Sequence, residues 1–240
     1  MSERLGSTSG SLRHPLVLLA IALWLVSSAT ASAGTQPNVA RTQVLVTLLA
    51  PHSARAAPAA LAREVMTIPA LAPITEVRTV LPVLARRGRW LKVELPGRPN
   101  GHTGWISDAK TRRSSTVWHL VVDRALRRVM VYRSGRLVRS FLAIVGKPWT
   151  PTPVGRFFVE ESVALRAGDV GGPYALALSA RSEVLQEFDG GPGQIAIHGL
   201  DNVGGTLGTA ASHGCVRLAD AAMRWLVFRV PPGAPVTITG

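Results

Sequence analysis

A chain of 240 residues has room for one large domain or two modest ones, with ample length for a buried core. Hydrophobic content of 47% is that of a globular protein, and 23 glycines, 17 prolines and only 17% charged residues point to many turns and a β-rich fold. The formal net charge of +13 draws the protein to polyanions, but its basic residues are scattered and carry no nucleic-acid motif, so nucleic acid is set aside as a partner. An anionic cell envelope fits the charge better, and plain arginine usage explains it equally well.

Residues 1–33 read as a signal peptide. Arg4 and Arg13 make a basic start, "PLVLLAIALWLV" (Pro15 to Val26) is an apolar run, and "ATASAG" supplies small residues in an A-x-A arrangement. The run is short for a bilayer-spanning helix, which needs about 20 residues, and an uncleaved anchor is the rival reading. No cysteine follows the run, which excludes a lipoprotein anchor. The expectation is work outside the cytoplasm, with the membrane met only through an uncleaved signal.

Residues 34–112 read as a first module. "TQVLVTLLAP" (Thr42 to Pro51) alternates as a strand, and the alanine-rich "HSARAAPAALAREV" is left between loop and short helix. In "GRWLKVELPGRPNGHTGWI" Trp90, Lys92 and Glu94 alternate with Leu91, Val93 and Leu95, "PGRPNG" is a turn, and "TGWI" begins a return strand. Short strands with tight turns suggest a small barrel. Trp90 and Trp105 read first as barrel-core aromatics and second as a peptide- or glycan-binding surface. His102, in the turn, is expected to be exposed.

"AKTRRSS" (Ala109 to Ser115) is polar and unpatterned, a linker by composition, and residues 113–240 form the second module. Ser134-Gly135 between apolar runs predicts a hairpin, "YALALSA" and "GQIAIHG" continue the β character, and "APVTITG" closes as a strand. "DAAMRWLVFRV" alone reads as a helix, with Asp220 as N-cap, Met223, Leu226 and Val227 as its apolar face, and Pro231-Pro232-Gly233 as its stop.

The chemistry concentrates in "HGLDNVGGTLGTAASHGCVRL", His198 to Leu218, which holds the single cysteine. One cysteine cannot form an internal disulfide, so in an exported protein Cys215 is a nucleophile, a metal ligand or a buried inert thiol. A thiol near pKa 8.5 is mostly protonated at neutral pH, and a histidine within reach takes its proton. Two histidines qualify: His198, at the end of a strand, and His213, two residues before the cysteine. Gly214 permits a sharp turn and close backbone N–H approach to an oxygen. Arg217 suits a substrate carboxylate or braces the loop. Zinc is the competing chemistry, but no C-x-x-C or H-x-x-x-H pair accompanies Cys215, His213, His198 and His102. A serine triad on Ser212 is the weaker choice beside a thiol.

At these residues the sequence resembles the L,D-transpeptidases, peptidoglycan cross-linking cysteine enzymes of the bacterial wall. The resemblance rests on His198, the run Ser212-His213-Gly214-Cys215-Val216-Arg217, "TPVGRF" (Thr152 to Phe157) and Val145-Gly146, and it covers about Val117 to Thr239. "GRWLKVELPGRPNGHTGWI" resembles the bacterial SH3-like modules that accompany wall enzymes. The implied fold is mainly β: a small SH3-like barrel, then a β-sandwich catalytic domain with one or two short helices. The family resemblance implies Cys215 as nucleophile, His198 as general base, the Gly199 carbonyl orienting that imidazole, and His213 positioning the pocket. It implies the Gly214 and Cys215 N–H groups at the oxyanion, with Ser212, Arg217 and Tyr174 shaping the substrate site; Tyr132 is the other tyrosine candidate. The implied partners are peptidoglycan stem peptides, a donor tetrapeptide and an acceptor amine. The thioester route needs no cofactor and no metal, and a monomer suffices. Hydrolysis to an L,D-carboxypeptidase, attachment of a wall protein, and an inactive wall-binding protein are the alternatives.

Overall fold

The structure, a computed structural model, describes residues 39–188 and 190–240. The expected signal peptide at 1–33 lies outside the described residues. Among the described residues no helix is long and apolar enough to cross a membrane.

The described chain is mostly strand. Seven strands come first: β1 (Gln43–Leu48), β2 (His52–Arg55), β3 (Glu64–Ile68), β4 (Val80–Arg87), β5 (Trp90–Glu94), β6 (Thr103–Ser107) and β7 (Thr111–Thr116). They form one antiparallel sheet in the order β3-β2-β6-β5-β4-β1-β7. Val46, Leu48, Ala54, Ile68, Leu81, Leu91, Val93, Leu95 and Ile106 fill its core. The alternation read in β5 holds from Trp90 to Val93, with Leu91 and Val93 buried and Trp90 and Lys92 partly exposed, but it fails at Glu94, which is buried beside Leu95 and reached by Arg156 at 3.6 Å. β6 follows the same rule with Gly104 and Ile106 inward, so Trp105 also takes the outer face. Neither tryptophan is a core aromatic. His102 is half-buried rather than exposed, with its Nδ1 shielded and unpartnered.

The second set is β8 (Trp118–Asp123), β9 (Arg128–Arg133), β10 (Arg136–Leu142), β11 (Val145–Gly146), β12 (Gly155–Ala164), β13 (Tyr174–Arg181), β14 (Gln194–His198), β15 (Ala210–Ser212), β16 (Val216–Arg217) and β17 (Pro235–Thr239), with the helix α1 (Asp220–Val227). Eight of these make a sheet in the order β10-β9-β8-β17-β12-β13-β14-β16, and β11 pairs with β15 beside it. Most neighbours are antiparallel; β17 runs parallel to β8, and β14 parallel to β16. The β9–β10 hairpin turns at Ser134 (φ 51°) and Gly135 (φ 75°), the pair of positive φ values that a tight two-residue turn requires.

Three expectations change. "HSARAAPAALAREV" is loop, as one of its two readings had it, only over residues 56–63; its first four residues are β2, with Ala54 buried, and its last two begin β3. The expected linker is β7, paired along its whole length with β1, and only Val117 separates it from β8. Helix α1 is capped at Ala219 with no side-chain bond; Asp220 sits inside the first turn, where its carboxylate accepts the Leu200 N–H at 2.7 Å. Of the apolar face as read, Met223 and Leu226 are buried and Val227 packs partly buried against the core, while Ala222 is buried in addition.

The two sheets belong to one compact unit, Pro37–Gly240. Phe158 of β12 projects into the core of the first sheet, where it is 1% exposed. Removing so large a buried ring costs about 3–5 kcal/mol, so the halves are not independent beads on a string. Glu161, fully buried on the same strand, accepts hydrogen bonds from the Ile74 and Thr75 N–H groups and the Thr75 hydroxyl.

Candidate active site

The site is built on two short parallel strands. In β14, Ile195 and Ile197 point into the core, so Gln194, Ala196 and His198 share the opposite face. β16 lies beside it, with Val216 opposite Ile197 and Arg217 opposite His198. Val216 joins the same core, which sends Cys215 and Arg217 to the face that carries His198. The Ala196 N–H donates to Cys215 Sγ at 3.4 Å, and the thiol points back at the Gln194 carbonyl at 3.9 Å. Gln194, His198, Cys215, Arg217 and His213 all line one cavity of about 210 Å³, whose apolar wall includes Leu185 and Phe188.

His198 is held in a single tautomer. Its Nδ1 lies 2.8 Å from the Gly199 carbonyl, an oxygen that only accepts, so the proton is on Nδ1 and the Nε2 lone pair is free. Space around the ring is tight. Gly171, at φ 84°, sits against the imidazole so closely that a Cβ there would overlap His198 Nδ1. The Gly199 N–H donates to the Gly171 carbonyl at 2.8 Å, which closes that clamp.

The loop before the cysteine is braced from within and from "TPVGRF". Ser212 is fully buried; its hydroxyl donates to the Cys215 carbonyl at 2.5 Å and accepts the Gly214 N–H at 3.1 Å. Gly214 adopts φ 122°, a conformation that side chains rarely adopt. Thr152, also fully buried, donates to the Gly214 carbonyl at 2.8 Å and accepts the Gly146 N–H at 2.9 Å. The two sequence motifs and the Val145-Gly146 pair are therefore one hydrogen-bonded assembly. His213 is exposed at the rim, where Lys147 donates to its Nε2 at 3.3 Å and Phe188 lies across its ring at 5.7 Å.

Several expected roles move. Ser212 is spent on the loop's own backbone and is not free for substrate. The Gly214 N–H is likewise occupied by Ser212, so of the two N–H groups expected at the oxyanion only that of Cys215 has no partner among the described residues. Tyr174 does not line the cavity; its ring packs edge-on against Phe228. Tyr132 is buried in the β9 core, away from the lining residues. Arg217 does line the cavity, with Nη1 3.4 Å from the Gly204 carbonyl and a buried Nε that has no partner. Among the described residues no group of three or more His, Cys, Asp or Glu side chains is placed to hold a metal ion. Gly171, Lys147 and Phe188 are new to the site. Gly171-Gly172-Pro173 before a strand was a signal for a close backbone approach; nothing local marks Phe188.

Burial sets the protonation states. Desolvation pushes the Cys215 thiol above its ordinary value, opposed by the Ala196 N–H and Arg217. Desolvation also pushes His198 below 6.5, with the Gly199 carbonyl opposing it and Arg217 adding to it. Both shifts favour a neutral thiol beside a neutral imidazole at rest, rather than a standing ion pair.

Residues 118–238, just over half of the chain, match the YkuD family, the L,D-transpeptidase catalytic domain. The chain belongs to the L,D-transpeptidase family. Its Bacillus licheniformis YkuD relative is 33% identical over 125 residues, 51% of this chain and 66% of that protein. L,D-transpeptidase 1 of Mycobacterium tuberculosis is 25% identical over 197 residues, covering 66% of this chain and 75% of the relative. A solved L,D-transpeptidase from Mycobacterium smegmatis superposes with a TM-score of 0.42 at 19% identity, over 68% of this chain and 91% of that one.

A neutral base explains what pH should do. A base works only when unprotonated, and His198 is held below the ordinary imidazole range. If His198 is the base, the acid limb of Cys215 acylation should therefore lie below 6.5, the ordinary imidazole value. A stopped-flow profile with its acid limb above 6.5 would contradict the burial argument.

Proposed function

We propose that this L,D-transpeptidase uses Cys215 to form 3→3 cross-links in peptidoglycan. The family acts on peptidoglycan stem peptides. One observation carries the reading: Cys215 and His198 share a face of adjoining strands and open on one cavity, with the histidine's Nδ1 pinned and its Nε2 free.

In the donor half-reaction, sulfur attacks the carbonyl of the L-centre of the third residue of a tetrapeptide stem. The thiol proton passes to His198 Nε2 as the carbon–sulfur bond forms, which avoids a resting thiolate in a desolvated place. The Cys215 N–H meets the developing oxyanion. Collapse breaks the peptide bond, the leaving D-alanine amine takes the proton from His198, and a thioester remains. In the acceptor half-reaction the side-chain amine of a second stem attacks that thioester, losing its proton to His198 and restoring the thiol. The thioester keeps the acyl group activated, so cross-linking proceeds without ATP. Arg217 supplies positive charge where a donor carboxylate or the tetrahedral intermediate needs it, and His213 shapes the rim.

Support for an extracytoplasmic location comes from the basic and apolar pattern of residues 1–33 and from the substrate itself. The first sheet, residues 39–116, is proposed as an SH3-like wall-associated module, with Trp90 and Trp105 on its outer face.

The test is incubation of the purified chain with tetrapeptide muropeptides. Dimers together with free D-alanine are expected. Tripeptides with D-alanine but no dimers would make water the acceptor and the enzyme a carboxypeptidase. Unchanged muropeptides, from a folded chain, would leave only a wall-binding protein.

A further inference from the structure

The first sheet does more than accompany the catalytic one. We propose that Arg98, in the loop between β5 and β6, is a positioning residue that fixes the outer wall of the catalytic cavity and so sets affinity for the donor. The inference rests on the reading of that cavity as the donor site.

The wall in question runs from Ser182 to Gly193, between β13 and β14, and contributes Ser182, Leu185, Phe188 and Gly193 to the cavity lining. Its described residues, 182–188 and 190–193, pair with no strand of either sheet. Its own bonds are local: the Ser182 N–H donates to the Gly193 carbonyl, the Val184 and Leu185 N–H groups to the Ser182 hydroxyl, and Phe188 and Gly191 exchange backbone bonds. Among the described residues, every hydrogen bond that leaves residues 183–192 for another element goes to Arg98. Its Nη1 donates to the Pro192 carbonyl at 2.9 Å, and its Nη2 to the Leu185 carbonyl at 3.0 Å and the Ser182 carbonyl at 2.7 Å. One guanidinium thus gathers three carbonyls, two near the start of the segment and one near its end.

The loop that carries Arg98 is itself anchored. The Asn100 amide donates to the Arg181 carbonyl and accepts the Arg181 N–H, both at 2.8 Å, and the Gly97 N–H donates to the Ser179 carbonyl at 3.1 Å. Arg181 in turn pairs with Glu160 at 3.2 Å, and Glu160 accepts from the Gln194 amide at 2.7 Å, next to the catalytic strand. The staple is therefore seated on the rigid end of β13, and what it restrains is the wall. A guanidinium is suited to this, because its planar fork presents donors in several fixed directions, whereas an ammonium is a point charge. Cys215 and His198 hang on β14 and β16 and do not depend on the wall.

The prediction separates binding from chemistry. In Arg98→Ala, the concentration of a carbapenem needed for half-maximal acylation of Cys215 should rise about tenfold while the limiting rate stays within about twofold, the pattern of lost uniform binding. Alkylation of Cys215 by iodoacetamide, too small to need the wall, should be unchanged, and Arg98→Lys should restore part of the affinity. Hydrogen exchange at the Phe188 and Gly191 amides should quicken in Arg98→Ala, a readout that stands even if the native chain fails to acylate. Failure of the native chain to acylate would count against the proposed function alone. Unaltered half-saturation with unaltered exchange, or a limiting rate that falls as steeply as the affinity, would overturn the assignment of Arg98.

Discussion

Replacing His198 with alanine should slow acylation of Cys215 by about 10²–10⁴-fold, the span expected for loss of a positioned general base. Burial pushes the Cys215 thiol up and favours its neutral form, so in the proposed reaction its proton leaves during attack and the acceptor of that proton sits in the transition state. His198 is the imidazole with a free Nε2 on the cysteine's own face, its other nitrogen committed to Gly199. His213 is differently placed. It is exposed, its Nε2 faces an ammonium donor in Lys147, and its ring lies against Phe188. His213→Ala should therefore cost far less than His198→Ala. The reverse order, with His198→Ala at full rate and His213→Ala severely impaired, would exchange the two roles.

The second large effect comes from a residue without a side chain. Gly171→Ala should reduce acylation about 100-fold, because a displacement on the order of 1 Å in a reacting group costs that much. Two causes act together. The backbone there has φ 84°, which L-residues rarely adopt, and the new methyl would overlap His198 Nδ1 and lie 3.0 Å from Cε1. The ring must then turn or retreat, and the bond to the Gly199 carbonyl goes with it. Gly168→Ala separates these causes, since Gly168 has φ 99° but nothing within 4 Å of an added Cβ. That control should lose about 1 kcal/mol of stability and keep its acylation rate. Equal rate losses in the two variants, at equal melting temperature, would show that backbone strain rather than the imidazole is responsible.

Much of this was legible before any coordinates. The Ser134-Gly135 turn announced itself because a tight hairpin demands positive φ, and the apolar face of α1 because only a helix groups Met223 and Leu226. Cys215 and His198 were singled out by the chemistry that a lone thiol needs, and both side chains line the cavity; the Gly199 carbonyl came only with the family resemblance. What stayed hidden was hidden for physical reasons. β7 carries Arg112, Arg113, Ser114 and Ser115, all exposed, because a strand at the edge of a sheet is safer with charge than with an apolar stripe. An edge strand so written looks like a linker. Asp220 looked like an N-cap because its type and position suit one, yet its carboxylate serves the Leu200 N–H twenty residues away. Ser212 and Gly214 were assigned to substrate and oxyanion, but each satisfies the other across the turn, a pairing that no spacing rule reveals. Tyr174 lost its place because β13 presents its ring to Phe228.

The central claim is a covalent one, and intact-mass spectrometry after incubation with a carbapenem tests it most directly. The account predicts a single adduct mapped to the peptide containing Cys215, formed by the native chain and absent from Cys215→Ala. A native, folded chain whose mass does not change, or an adduct that persists in Cys215→Ala, would contradict it.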